Sequence, residues 1–107
     1  MLQSALLTIR KTERFNKWLI TLRDTQARAQ VLARLARFEH GQAGDARSVG
    51  GGVLELRIHT GPGYRVYYTR IGARVVLLLA GGDKSTQSRD VSQAKALAAS
   101  IREEDLT

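Results

Sequence analysis

The run from Val53 to Gln87, VLELRIHTGPGYRVYYTRIGARVVLLLAGGDKSTQ, constrains the fold more than any other part of this chain, because it spells three consecutive strands. Successive side chains of a strand point to opposite faces. Between Val53 and Thr60, Leu54, Leu56 and Ile58 therefore share one face, while Val53, Glu55, Arg57 and His59 share the other. Gly61, Pro62 and Gly63 mark a turn, after which Tyr64, Val66 and Tyr68 alternate with Arg65, Tyr67 and Thr69. A hairpin brings the two polar sets together. The pattern predicts one packed face and one cationic, aromatic face open to a ligand. The third strand, Arg74 to Gly81, carries the continuous run VVLLLA of a strand covered on both sides, which places it inside the sheet.

Upstream, the period changes from two to 3.6. Leu6 to Lys11 reads as an edge strand, and Thr12 as the N-cap of a helix in which Phe15, Trp18, Leu19 and Leu22 form one apolar face, ending near Asp24. Ala27, Val31, Leu35 and Phe38 form the apolar face of a second helix that starts after Thr25. Arg28, Arg34 and Arg37 lie off that face, and Gly41 stops the helix. Gly41 to Gly52, with five glycines, is predicted as a loop with a short extended piece at Ala46 to Val49. Gly81 and Gly82 let the chain leave the sheet. A polar stretch in which Asp83 serves as a cap then opens a last helix marked by Val91, Ala94, Leu97, Ala98 and Ile101. The expected order is β-α-α-β-β-β-α in a single domain spanning residues 1–107, with one modest core.

Charge narrows the partner. Seventeen Lys and Arg face ten Asp and Glu, a formal net charge of +7. Three of the acids, Glu103, Glu104 and Asp105, crowd the C-terminus, and thirteen of the bases are arginines, whose planar fork suits phosphate. A polyanion partner follows, and no segment has the composition of a membrane-surface helix. The absence of cysteine removes thiolate nucleophiles, disulfides and thiolate zinc sites, and suits a reducing cytoplasm. The N-terminal apolar stretch is too short for a signal peptide and carries its bases after it, and no run approaches a membrane span. No cofactor and no metal is expected.

The candidate chemistry sits on the polar strand face. Glu55, Arg57, His59, Arg65 and Tyr67 lie there, and Lys84 arrives from the end of the third strand. Cleavage of RNA by its own 2′-OH needs a group to take that proton, cations to hold the added negative charge, and a donor for the departing 5′-oxygen. Arg57, Arg65 and Lys84 can supply the cations; Lys84, His59 or Glu55 can act as base or acid; Tyr67 can stack a base or donate a hydrogen bond. The plainer readings are a cross-strand ion pair for Glu55, a solvated strand end for His59 and a sheet-covering role for Tyr67.

ELRIHTGPGYRVYY, followed by LLLAGGDKSTQ and a closing AKALA helix, resembles the RelE/ParE toxin superfamily, and within it the HigB-like branch of phage-related addiction-module killer proteins. The likeness runs from TIRKTERFNKWL to AKALA. It implies a twisted antiparallel sheet packed on two N-terminal helices, leaving the charged face free for RNA phosphate. It implies a cytoplasmic toxin of a type II toxin-antitoxin pair, neutralised by a cognate antitoxin of helix-turn-helix type. The implied activity is metal-independent endoribonuclease cleavage of mRNA, often on the ribosome, with Arg57, Arg65 and Lys84 at the matching positions. The same superfamily includes non-enzymatic toxins that inhibit DNA gyrase, and that reading stands as the alternative.

Overall fold

The computed structural model of the chain describes residues 6–106. The expectation about a leader segment rests partly on residues 1–5, which lie outside that range. Strand β1 (Thr8–Lys11) is followed by helices α1 (Glu13–Thr21) and α2 (Thr25–Glu39). Strands β2 (Ala46–Gly50), β3 (Val53–Ile58), β4 (Tyr64–Gly72) and β5 (Val75–Gly82) come next. A single 3-10 turn at Lys84–Thr86 leads into helix α3 (Gln87–Leu106). The five strands form one sheet in the order β1-β5-β4-β3-β2.

Local signals set the helix ends. The Thr12 hydroxyl accepts a hydrogen bond from the Phe15 amide at 3.1 Å, and the Asp24 carboxylate accepts from the amides of Gln26 and Ala27, so both helices start on side-chain caps. The four residues expected on the apolar face of α2, Ala27, Val31, Leu35 and Phe38, are all buried. Val31, Leu35 and Phe38 pack with Phe15, Leu56, Ile58, Val66, Tyr68, Val76 and Leu78 on one face of the sheet.

The β3–β4 register is the one the alternation requires: Arg57 opposes Arg65, Glu55 opposes Tyr67, and Leu56 opposes Val66. Three expectations change. The extended piece at Ala46 to Val49 is a full edge strand paired antiparallel with β3, so the order is β-α-α-β-β-β-β-α. Its exposed polar residues hid it, since an edge strand buries too little to show a clean apolar alternation. The sheet is mixed, because β1 runs parallel to β5. Helices α1 and α2 carry the chain to β2 at the opposite edge, and the antiparallel run β2–β3–β4–β5 brings β5 back beside β1; the paired strands are not consecutive, so no tight turn forces them antiparallel.

The third change concerns the polar strand face. It is not open along its length: α3 lies across it and encloses a second cluster of Val53, Tyr67, Leu79, Ala80, Ala94 and Ala98. The apolar positions of α3 find their partners there, and burying that stripe outweighs leaving the face free. Only the end of the face nearest the β3–β4 turn escapes.

Candidate functional site

Two glycines fix how the chain reaches the uncovered end. A Cβ at Gly81 would lie 2.1 Å from the Trp18 ring on the α1 side, and one at Gly82 would lie 1.9 Å from the Asp90 carboxylate on the α3 side. Neither space admits a side chain, so the pair lets β5 run between Trp18 and Asp90 and deliver Asp83 and Lys84 beside the turn. Asp83 caps the 3-10 turn, accepting from the Ser85 amide at 2.8 Å. The hydrogen bond from the Ser85 hydroxyl, and after it the bond from that amide, hold its carboxyl below the usual range. The Lys84 amide reaches the Pro62 carbonyl at 3.4 Å, which ties the lysine to the Gly61–Gly63 bend. Gly61 and Gly63 both adopt positive φ, the left-handed conformation that glycine enters without strain.

Around this bend lies a cleft of roughly 490 Å³ lined by Arg57, His59, Arg65, Lys84 and the Thr60–Gly63 turn. Four of the six sequence-derived candidates therefore meet in one place. A larger depression, about 600 Å³, lies at the start of α3, but its lining of Ser85, Thr86, Ser88, Ser92 and Gln93 carries one charge, Arg89. The cleft at the bend is where cations converge.

The four are held differently. Lys84 is exposed. The side chain of His59 is 70% exposed, and its Nε2 lies 2.5 Å from Asp45 Oδ2. Arg57 faces the same carboxylate, with Nε at 3.4 Å from Oδ2. The hydrogen bond from His59, reinforced by the Arg57 charge, holds Asp45 below the ordinary carboxylate range. Arg65 is only 8% exposed: one guanidinium nitrogen donates to the Gly63 carbonyl at 2.8 Å, and its Nε lies 3.6 Å from Glu55 Oε2. From behind, Arg34 of α2 donates to the carbonyls of Arg57 and Ala43, at 2.6 and 2.7 Å, and staples β3 to the loop that carries Asp45.

The other two candidates lie beneath the surface. Glu55 is 0% exposed and is ringed by Arg47 at 3.4 Å, Arg65 at 3.6 Å and Arg57 at 4.0 Å, while Gln87 donates to its Oε2 at 2.8 Å. Tyr67 is also 0% exposed, beneath α3, so it presents no ring face on which a base could stack. Burial first, and then the neighbouring Glu55 carboxylate, push its phenol pKa up. The sequence pattern places both residues on an open face, and the helix that covers them is the reason they are not.

Four participants escape the sequence reading. Asp45 lies in a stretch that reads as loop, Arg47 on a strand the pattern does not reveal, Gln87 at the end of a motif conspicuous for its lysine, and Arg34 among surface cations. Only Arg47 leaves a usable signal: in a β2–β3 hairpin it stands directly opposite Glu55.

Comparison with known proteins matches residues 17–102 to the family described as phage derived protein Gp49-like. A protein of Haemophilus influenzae is 47% identical over 92 residues, covering 86% of this chain and 93% of its own length. Among solved structures, the E. coli toxin RelE, in the free state and as a double arginine-to-alanine mutant, superposes with a TM-score of 0.63. It does so at 20% identity over 82% of this chain and 97% of its own, so the chain has the RelE-like fold. The intact E. coli RelBE toxin-antitoxin complex also matches, at 18% identity, a TM-score of 0.48, and 72% and 95% coverage.

Proposed function

The chain belongs to the phage derived protein Gp49-like family, and from that premise we propose that it is the toxin of a type II toxin-antitoxin pair, a cytoplasmic endoribonuclease that cuts mRNA on the ribosome. The observation that carries this reading is the cleft in which Arg57, Arg65 and Lys84 surround an exposed imidazole held by a carboxylate. The cations are those a phosphodiester demands, and an imidazole ring offers one nitrogen that can accept a proton and another that can donate one.

In the proposed reaction the scissile phosphate sits between Lys84 and the two arginines. The 2′-oxygen attacks phosphorus and its proton passes to a base. The bond to the 5′-oxygen breaks as that oxygen takes a proton from an acid, leaving a 2′,3′-cyclic phosphate and a 5′-hydroxyl. Asp45 holds His59 by Nε2 and leaves Nδ1 to move one of these protons. Arg65 and Lys84 meet the charge that develops on the phosphoryl oxygens. A cationic cleft of this kind calls for a neutralising partner, and the cognate antitoxin is proposed as a helix-turn-helix protein with an acidic segment that covers it.

The test is to induce the chain without a partner and map new RNA 5′ ends while following DNA breaks and translation. New 5′-hydroxyl ends in translated mRNA are expected. Cleavage of purified translating complexes should fall about tenfold or more in Lys84→Ala with the melting temperature unchanged. Growth arrest with intact transcripts would sink the nuclease reading, and DNA breaks in those cells would establish the gyrase-directed alternative.

A further inference from the structure

The carboxylate of Glu55 is the most completely enclosed charge among the described residues, and catalysis as set out above gives it no task. It cannot touch substrate, since none of its surface is exposed. Leaving an ionised carboxyl so deep is unfavourable unless cations compensate it. Here the compensation comes from three arginines on three adjacent strands: Arg47 of β2, Arg57 of β3 and Arg65 of β4. Two of these line the cleft. The fourth contact comes from outside the sheet. Gln87, the first residue of α3, donates to the same oxygen, Oε2, that faces Arg65.

The arginine contacts are ion pairs of 3.4 to 4.0 Å and not short hydrogen bonds. The Nε atoms of Arg57 and Arg65 and the Oε1 of Glu55 are all buried without a hydrogen-bond partner. Such an arrangement draws the two guanidiniums toward the sheet by charge without consuming all their donors. The stems are anchored, and the remaining N–H groups can turn to a phosphate. Without the carboxylate, the cations of Arg57 and Arg65, directly opposed in the β3–β4 ladder, would repel each other.

We propose that Glu55 is a positioning residue, the buried counter-ion that holds Arg57 and Arg65 in register at the cleft, with Gln87 coupling that register to the seating of α3. The proposal deepens the nuclease reading and rests on it for its kinetic consequence, but its structural content is independent. Acting through the arginines, Glu55 sets where their charge lies when the phosphoryl group becomes more negative, a placement in which an error of about 1 Å costs on the order of a hundredfold in rate.

The experiment combines Glu55→Gln with an Arg65→Ala background and reads the arginine side chains directly. In wild type, proton–nitrogen NMR should show slowly exchanging Nε–H signals for Arg57 and Arg65. In folded Glu55→Gln both should shift and exchange faster. Single-turnover cleavage should fall about a hundredfold, while binding of an RNA blocked by a 2′-deoxy nucleotide at the scissile position changes less than about threefold. In the Arg65→Ala background the same change should cost several-fold less than in the wild type, because the part of the effect carried by Arg65 is already lost while the part carried by Arg57 remains. Equal costs in the two backgrounds, or unmoved arginine signals in folded Glu55→Gln, would overturn the proposal. If Glu55→Gln does not fold, Glu55→Asp, which keeps the charge but withdraws it by one methylene, takes its place: shifted arginine signals and slowed cleavage support the proposal, and unmoved signals overturn it. Should the wild-type chain cut no RNA, the nuclease reading falls, and the arginine signals alone decide the role of Glu55.

Discussion

On the face of the sheet covered by α1 and α2, the buried side chains are large and apolar: Phe15, Phe38, Leu56, Tyr68 and Leu78 interlock, with the Phe38 and Tyr68 rings 4.7 Å apart. On the face covered by α3 the helix contributes Ala94, Ala98 and the buried Asp90, and beneath it lie Glu55 and Thr69 alongside Val53, Tyr67 and Leu79. The first face is filled by shape alone. The second is filled by small residues that let a helix approach closely and by polar groups that need specific partners. Stability is concentrated on the first, and the site grows from the open end of the second. A cleft that must hold charges in place is built where buried ions, not ring packing, set the geometry.

This contrast can be broken most sharply at Phe38. Phe38→Ala should cost about 3–5 kcal/mol, read from thermal or denaturant unfolding, because the vacated volume is closed off by Tyr68 and the sheet. A loss much below that range would show that the α1/α2 face is no better packed than the other. Next, Gly82→Ala should cost about 1–3 kcal/mol by driving a methyl group into the Asp90 carboxylate, and should lower cleavage through the displaced Lys84.

At the open end, Asp45→Asn should leave the fold intact and slow cleavage about tenfold by loosening His59. It also has a signature in acid. The folded pKa of Asp45 is depressed, so its contribution to stability is fully present above the ordinary value of 3.8 and is lost as pH falls through the lower folded value. Melting temperature against pH should therefore drop less steeply in the variant below that point. Tyr67→Phe is the smallest effect expected, within about 0.5 kcal/mol at neutral pH, since the buried hydroxyl has no hydrogen-bond partner to lose. The tyrosine's raised pKa makes its contribution fully present below its ordinary value of 10.0 and lost as pH rises beyond it, so the variant should resist alkaline unfolding better. Cleavage should be unchanged; a tenfold loss would mean that α3 lifts off during the reaction and that the two faces differ in mobility as well as in packing.

Arg65→Ala looks, from the sequence, like a clean test of function, because a strand arginine on a polar face is expected to be exposed. Arg65 is buried against Glu55, so its removal also leaves that carboxylate less compensated, and loss of activity would mix the two effects. Lys84, exposed on a capped turn, separates them. Burial of Arg65 is illegible locally because an alternating strand shows which residues share a face and is silent about what lies over it.

The sequence by itself determined the facing of the hairpin's polar sets, the two helices with their apolar stripes and the Thr12 cap, and the gathering of Arg57, His59, Arg65 and Lys84 on one polar face, because each follows from a period of two or 3.6 and from cap and turn chemistry. Only the tertiary structure decided that α3 roofs the polar face, that β1 joins the sheet in parallel, that Asp45 and Gln87 reach the site, and that Glu55 and Tyr67 lie buried beneath it. Those outcomes depend on which of several apolar surfaces pair across long stretches of chain, and a surface is chosen by total burial and by the pairing of the charges it covers.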